Sequence, residues 1–219
     1  MSRAISLVIG CLLLGAAPAV AHPHVWIDAG VEVILDDQNR ATAVRITWTY
    51  DDLYSLYVVG DMGLDPDWDG VLTPEETAKL AGFDMGWDAD FPGDTYALIG
   101  ADTLDLSRPQ DWTASYAGGK ITTTHLRRFA APVALGGDTP LIVQVYDPGY
   151  YVAYAIATDP VLIGGQGCRA QVFVPDLGEV EAELLAALSE FTPDVDLEAD
   201  FPAVGAKFAD EVRVTCSAS

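Results

Sequence analysis

Two clusters of residues in this 219-residue chain have types and spacing suited to chemistry, and both suit a metal ion. Asp65-Pro66-Asp67-Trp68-Asp69-Gly70-Val71-Leu72-Thr73-Pro74-Glu75-Glu76 places carboxylates at positions 1, 3 and 5 of a twelve-residue loop, glycine at 6 and glutamate at 12. That is the pattern of an EF-hand calcium loop. Alternate residues turn oxygens inward, and Gly70 makes the bend that lets Val71 offer its carbonyl. Thr73 reaches the ion through water, and Glu76 chelates from the next helix. The expected ligands are therefore Asp65, Asp67, Asp69, Val71, Thr73 and Glu76. A lone exported loop of this kind binds weakly, with Kd on the order of 10⁻⁴ to 10⁻³ M, which predicts a structural calcium site and not a sensor.

The second cluster is histidine. The chain has three, His22, His24 and His125. Met1–Ala21 reads as a secretory signal: Arg3 as n-region, Ile5–Leu14 as apolar core, Ala19-Val20-Ala21 as cleavage site. Val8-Ile9-Gly10-Cys11 also fits a lipoprotein box, but would leave almost no apolar core before Cys11. Cleavage after Ala21 makes His22 the terminal residue, so the mature protein opens His22-Pro23-His24 and offers an α-amine beside two imidazoles. Those donors suit zinc, nickel, cobalt or copper. Pro23 lacks an amide N–H, so a square-planar chelate through deprotonated amides cannot close, and the site must be completed from elsewhere. His125 is the expected third ligand, with Asp28, Asp51, Asp52 or Asp147 as a fourth.

The charge balance, 33 acidic against 11 basic residues for a net −22, repels nucleic acid and anionic lipid and attracts cations. Beyond the signal, no apolar run is long enough to span a bilayer, so the mature chain is expected to be periplasmic and not membrane-embedded. Loss of Cys11 with the signal leaves Cys168 and Cys216, an even pair read as one disulfide. There is no GxSxG, HExxH or Cys/His nucleophile pattern, and Gly164-Gly165-Gln166-Gly167 lacks the helix a phosphate loop needs. The sequence names no catalytic group. Arg127 and Arg128 are expected to pair with carboxylates, and Asp147-Pro148-Gly149-Tyr150-Tyr151 to make a turn before an aromatic strand.

The elements that must position these residues follow from periodicity. Val25–Leu35 and Ala41–Tyr50 read as a hairpin about the polar turn Asp36–Arg40. Helical spacing covers Asp51–Met62 and Pro74–Leu80, on either side of the acidic loop. Strands are expected at Tyr96–Ile99, Lys120–Phe129, Leu141–Tyr146, Tyr151–Ala157, Cys168–Val174 and Glu211–Cys216. Leu177–Phe191 reads as a helix capped by Asp176 and stopped by Pro193, with a last short helix at Ala203–Ala209. The expectation is a single α+β domain over 22–219: an antiparallel sheet or sandwich, an EF-hand-like helix-loop-helix insertion at 51–84, and a C-terminal helical segment.

The HPHVWID opening after the signal, ITWTYDDLYS, the acidic loop, VYDPGYYVAY and the closing FADEVRVTC together resemble a bacterial family of unknown function, catalogued as the periplasmic component of an uncharacterised ABC-type transport system. Its members are often encoded beside nickel/cobalt permeases of the NicO type. The resemblance implies a membrane metal transporter as partner and a role in metal transport or delivery. The leading expectation is thus a non-enzymatic exported metal-binding protein. The alternatives are a copper oxygenase built on an N-terminal histidine brace, and a calcium-stabilised periplasmic adaptor without a transition metal.

Overall fold

The computed structural model describes residues 23–136, 139–178, 180 and 205–217. The hairpin forms where the alternation placed it. Strands β1 (Val25–Leu35) and β2 (Arg40–Tyr50) pair antiparallel, and every second residue of β1 from Val25 to Leu35 is buried. The turn is held by one side chain. Asp36 Oδ1 accepts the Gln38 and Arg40 N–H groups while its other oxygen takes Arg40 Nε at 2.7 Å. The same Arg40 contacts hold the half-buried Asp36 carboxyl below its usual pKa.

Helix α1 (Asp52–Asp61) leaves directly from β2, with Asp51 as N-cap accepting the Tyr54 N–H at 2.8 Å. Helix α2 (Pro74–Leu80) opens with a complete capping box between Thr73 and Glu76 and carries Pro74 in its first turn. The remaining strands are β3 (Thr95–Ile99), β4 (Asp102–Leu104), β5 (Gln110–Ala117), β6 (Lys120–Ala134), β7 (Leu141–Val145), β8 (Val152–Ile156), β9 (Val161–Ile163), β10 (Cys168–Phe173) and β11 (Glu211–Cys216). A single turn, α3 (Gly205–Phe208), precedes β11. Asp176 caps as expected, its Oδ1 taking the Gly178 N–H and its carbonyl the Val180 N–H. The rest of the helix expected at 177–191 lies outside the described residues, as does the signal segment.

The strands form two sheets, β5-β6-β2-β1-β8 with β9 also on β1, and β10-β11-β7-β3-β4. Between them lies one core in which Val31, Val33, Ile46 and Ile121 meet Leu141, Val143, Val212 and Val214. The expectation of an α+β fold is corrected by this arrangement. The described chain is mostly β, and its helices of ten, seven and four residues build no layer. α1 and α2 do not act as an independent helical insertion. α1 tucks onto β6, burying Ser55, Val58 and Val59, and α2 lies against β5 with Leu80 as its buried residue. The sheet carrying the hairpin is also mixed, because β8 and β9 both run parallel to β1. Strand β5, unexpected from sequence, is an edge strand exposed along most of its length, so it lacks the alternation that marks a buried strand.

Cys168 and Cys216 are disulfide-bonded and face each other in the β10–β11 register. The bridge closes a loop across a sequence separation of 48. Reduction, or a Cys168→Ser/Cys216→Ser variant, is expected to lower unfolding free energy by roughly 4 kcal/mol on the loop-entropy scale. Urea titrations with and without dithiothreitol measure this, and coincident curves would show that the β10–β11 pairing needs no staple.

Candidate metal centres

The acidic loop begins just after the buried Leu64, which fixes Asp65 at 5% exposure while Asp67 and Asp69 face solvent. Asp65, Trp68 and Gly70 all take left-handed backbone conformations, with φ of 51°, 57° and 79°. For the two non-glycine residues such conformations cost of order 1 kcal/mol each and persist where neighbouring contacts enforce them. Here the contacts are explicit. Asp65 Oδ1 accepts the Asp69 N–H at 3.0 Å, its Oδ2 accepts the Gly70 N–H at 3.1 Å, and Asp69 Oδ1 accepts the Val71 N–H at 2.8 Å. The chain therefore curls around its own first carboxylate, and one oxygen from each of Asp65, Asp67 and Asp69 falls within 4.8 Å of the others.

Glu76 is engaged in the capping box, its Oε2 taking both the N–H and the hydroxyl of Thr73 at 2.8 Å. Those bonds depress its pKa, with the Asp65 backbone N–H adding to the effect. Glu76 is thus committed to Thr73, and the oxygens that converge are those of Asp65, Asp67 and Asp69. The donor set is hard oxygen throughout, and it fits a hard divalent cation such as calcium. The Thr73 hydroxyl is engaged with Glu76 in the capping box, and Val71 donates its N–H to Asp69 Oδ1.

His24 and His125 are not brought together. His22 lies outside the described residues. His24 is exposed immediately before β1, its N–H donating to the Tyr151 carbonyl at 2.8 Å and its ring 4.6 Å from the Tyr151 ring. His125 is at the opposite extreme, 0% exposed on the inner face of β6. The register places Val31, Ile46 and His125 side by side across β1, β2 and β6. His24 stands seven residues before Val31, so along the sheet the two histidines are separated by roughly 23 Å at about 3.3 Å per residue. His125 cannot complete a site at the N-terminus. Among the described residues, the group of three donors within metal-binding distance is Asp65, Asp67 and Asp69, and no such group includes a histidine.

Two of the four acids expected near the N-terminus have structural employment. Asp51 caps α1 and accepts the Trp26 N–H at 2.9 Å. Asp147 takes the N–H groups of Gly149, Tyr151 and Val152, which makes the DPGYY segment the turn it was expected to be. Asp52 opens α1 and Asp28 lies on the outer face of β1, both exposed.

His125 instead belongs to a layer of rings and sequestered acids that the sequence did not reveal. Its ring stands edge-on to Trp48 at 4.7 Å and to Trp87 at 5.3 Å, and neither nitrogen has a hydrogen-bond partner among the described residues. Burial lowers its pKa to about 3, and the Arg127 charge adds to this, so the imidazole is neutral and sits in surroundings hostile to a cation. Asp84 Oδ2 accepts from Tyr50 Oη at 2.8 Å and Thr123 Oγ1 at 2.6 Å, while desolvation raises its pKa. Asp94, with Tyr154 Oη donating to its Oδ2 at 2.9 Å, is raised by desolvation to about 7. Arg127 departs from the expected carboxylate pairing. It donates to the carbonyls of Ser107 and Pro92 and covers the Trp87 ring at 5.1 Å, and desolvation lowers its pKa to about 10. Arg128 reaches Gln110 Oε1.

Fold and site together define a two-sheet β protein with an acidic, inward-curled loop between two short helices. The chain belongs to the family described as Protein of unknown function (DUF1007), whose model matches residues 7–216. No curated protein matches it.

Protonating His125 is more costly in the folded chain than in the unfolded one, so its contribution is intact above pH 6.5 and lost as pH falls toward about 3. Asp94 acts in the opposite sense, contributing stability that is lost as pH rises from about 4 toward 7. A His125→Leu variant removes the first trend and leaves the second. Its unfolding free energy should lose about 2–3 kcal/mol less than the parent between pH 7 and pH 4.5. Equal losses by urea titration at the two pH values would show that His125 is not buried neutral.

Proposed function

We propose that this chain is an exported, non-enzymatic cation-binding protein of the periplasm. A calcium ion in the Asp65–Glu76 loop holds the α1–α2 segment. The mature terminus, opening His22-Pro23-His24, binds zinc, nickel, cobalt or copper and passes it to, or takes it from, a membrane metal transporter. The observation that carries the calcium reading is the convergence of Asp65, Asp67 and Asp69 oxygens within 4.8 Å. A cation there would relieve their mutual repulsion and use the strained loop conformation. The terminal site is supported by the exposed placement of His24 at the start of β1, and the transport context by the family resemblance. The copper-oxygenase alternative needed His125 as its second imidazole, and the core position of that residue removes its support.

Calcium at 10 mM is expected to raise unfolding free energy by roughly 1.5–2.7 kcal/mol, given a Kd on the order of 10⁻⁴ to 10⁻³ M. Trp68, inside the loop, should sensitise Tb³⁺ luminescence. Asp65→Ala should abolish both effects, and their persistence in that variant would sink the loop assignment. For the terminus, the measurement is elemental analysis of protein exported with an authentic His22 start. About one equivalent of a first-row metal, lost in His24→Ala, is expected. Calcium alone, even after loading, would leave a calcium-stabilised adaptor.

A further inference from the structure

Helix α1 is apolar on two sides. Ser55, Val58 and Val59 face the core, yet Leu53, Leu56 and Tyr57, at the i, i+3, i+4 spacing of one helical stripe, are 77%, 47% and 64% exposed. Trp26, whose backbone is bonded in both directions to the Asp51 cap at the foot of this helix, is 55% exposed. Isolated exposed leucines are ordinary, but a helix apolar all round is normally covered, and a contiguous apolar stripe marks an interaction surface.

The charges around the stripe say what would cover it. Asp51 and Asp52 stand at one end of α1, Asp61 at the other, and the Asp65, Asp67 and Asp69 cluster follows immediately. α1 and β1 contain no lysine or arginine, and Lys120 is the basic residue at the adjoining β5–β6 turn. A second copy would bring the same acids against these, in a chain of net charge −22. Phospholipid headgroups would find no cations on the helix to meet them. The remaining complement is a protein surface with an apolar centre and a basic rim.

We infer that the Leu53–Leu56–Tyr57 stripe of α1 is a docking surface for a partner protein that presents an apolar patch ringed by lysine and arginine. The inference deepens the delivery reading and rests on it for what the partner does. It places that partner beside the end of the sheet where β1 begins and His24 lies. Calcium in the neighbouring loop would reduce the negative charge next to the stripe and so tune the ionic part of docking.

The test uses the calcium-loaded full chain and, as probe, a helical peptide with leucine on one face and lysine on the other. The parent protein should bind it, more weakly as salt rises. A Leu53→Ser/Leu56→Ser variant, which keeps every charge, should bind at least tenfold more weakly. Asp52→Lys/Asp61→Lys should also weaken binding, and a leucine/glutamate peptide of the same pattern should not bind. Unchanged affinity in the serine variant would reduce the interaction to bulk charge and overturn the inference, as would no binding by the parent. A parent dimer in sedimentation that the serine variant dissolves would assign the stripe to a second copy instead. Binding to phosphatidylethanolamine/phosphatidylglycerol vesicles, lost in the same variant, would assign it to lipid. Elemental analysis of the exported parent separates the two readings: a first-row metal retained without peptide binding overturns docking and leaves delivery standing, whereas peptide binding lost in the serine variant supports docking even where no such metal is retained.

Discussion

The pairing of β2 with β6 is the constraint on which the other elements depend. Its inner face sets Ile46, Trp48 and Tyr50 beside Thr123 and His125, and the loop after α2 is fastened to that face. Asp84 is held there by Tyr50 and Thr123, and Trp87 donates its Nε1–H to the Asp84 carbonyl at 2.6 Å while standing edge-on to His125. On the other side of the acidic loop, α1 grows out of β2, and Ser55 Oγ accepts the Ile121 N–H of β6 at 2.9 Å. Both flanks of Asp65–Glu76 are therefore tied to the same strand pair. The loop conformation is imposed from outside as well as by its own hydrogen bonds, which is how left-handed Asp65 and Trp68 are tolerated without a glycine at either position.

The chain manages its excess of acid in two ways. Most carboxylates stay exposed or serve as caps and turn anchors, where backbone N–H groups meet the negative charge: Asp36, Asp51, Asp147 and Asp176 all act so. Asp84 and Asp94 are drawn inward, and desolvation pushes both toward the neutral form, with tyrosine hydroxyls as donors. Neutral His125 and the cation of Arg127, whose donors go to carbonyls, share that layer. Burying Arg127 on carbonyls and an indole avoids a fully desolvated ion pair, whose attraction often fails to offset the loss of hydration.

What was legible in the sequence was local. The alternation of β1 and β2, the Asp36 turn, the cap at Asp176, and the spacing of the acidic loop each sit within a dozen residues, where periodicity and hydrogen-bonding chemistry leave few choices. The Cys168–Cys216 bridge was legible from the count of cysteines. The fold class was not, because two helical patterns do not say whether helices form a layer. That depends on how little of α1 and α2 the sheets leave to bury. The parallel seating of β8 and β9 on β1 joins segments more than a hundred residues apart, and no spacing encodes it. His125 was misplaced for a related reason. A histidine between Thr124 and Leu126 on a strand has no local mark of its orientation, and only the facing Trp48 and Trp87 show that it points into the core.

This misplacement changes what the N-terminus must be. With His125 roughly 23 Å along the sheet, the proposed terminal metal site has only local donors to draw on: the α-amine, His22, His24, the exposed carboxylates of Asp28 and Asp52, and solvent or a partner. The nearby carboxylates of Asp51 and Asp147 are occupied with backbone N–H groups, and withdrawing either would uncap α1 or release the turn that holds Tyr151 against His24. A site built on His22 and His24 without His125 would be open-sided, and an incomplete coordination sphere exchanges its ion more readily than a closed one. A protein that stores a metal needs the closed kind. One that hands a metal on needs a site whose missing ligands the recipient supplies. The proposed division follows from that difference: an acidic loop held through Asp65 and Asp69 for a structural ion, and the His22–His24 opening for one in transit.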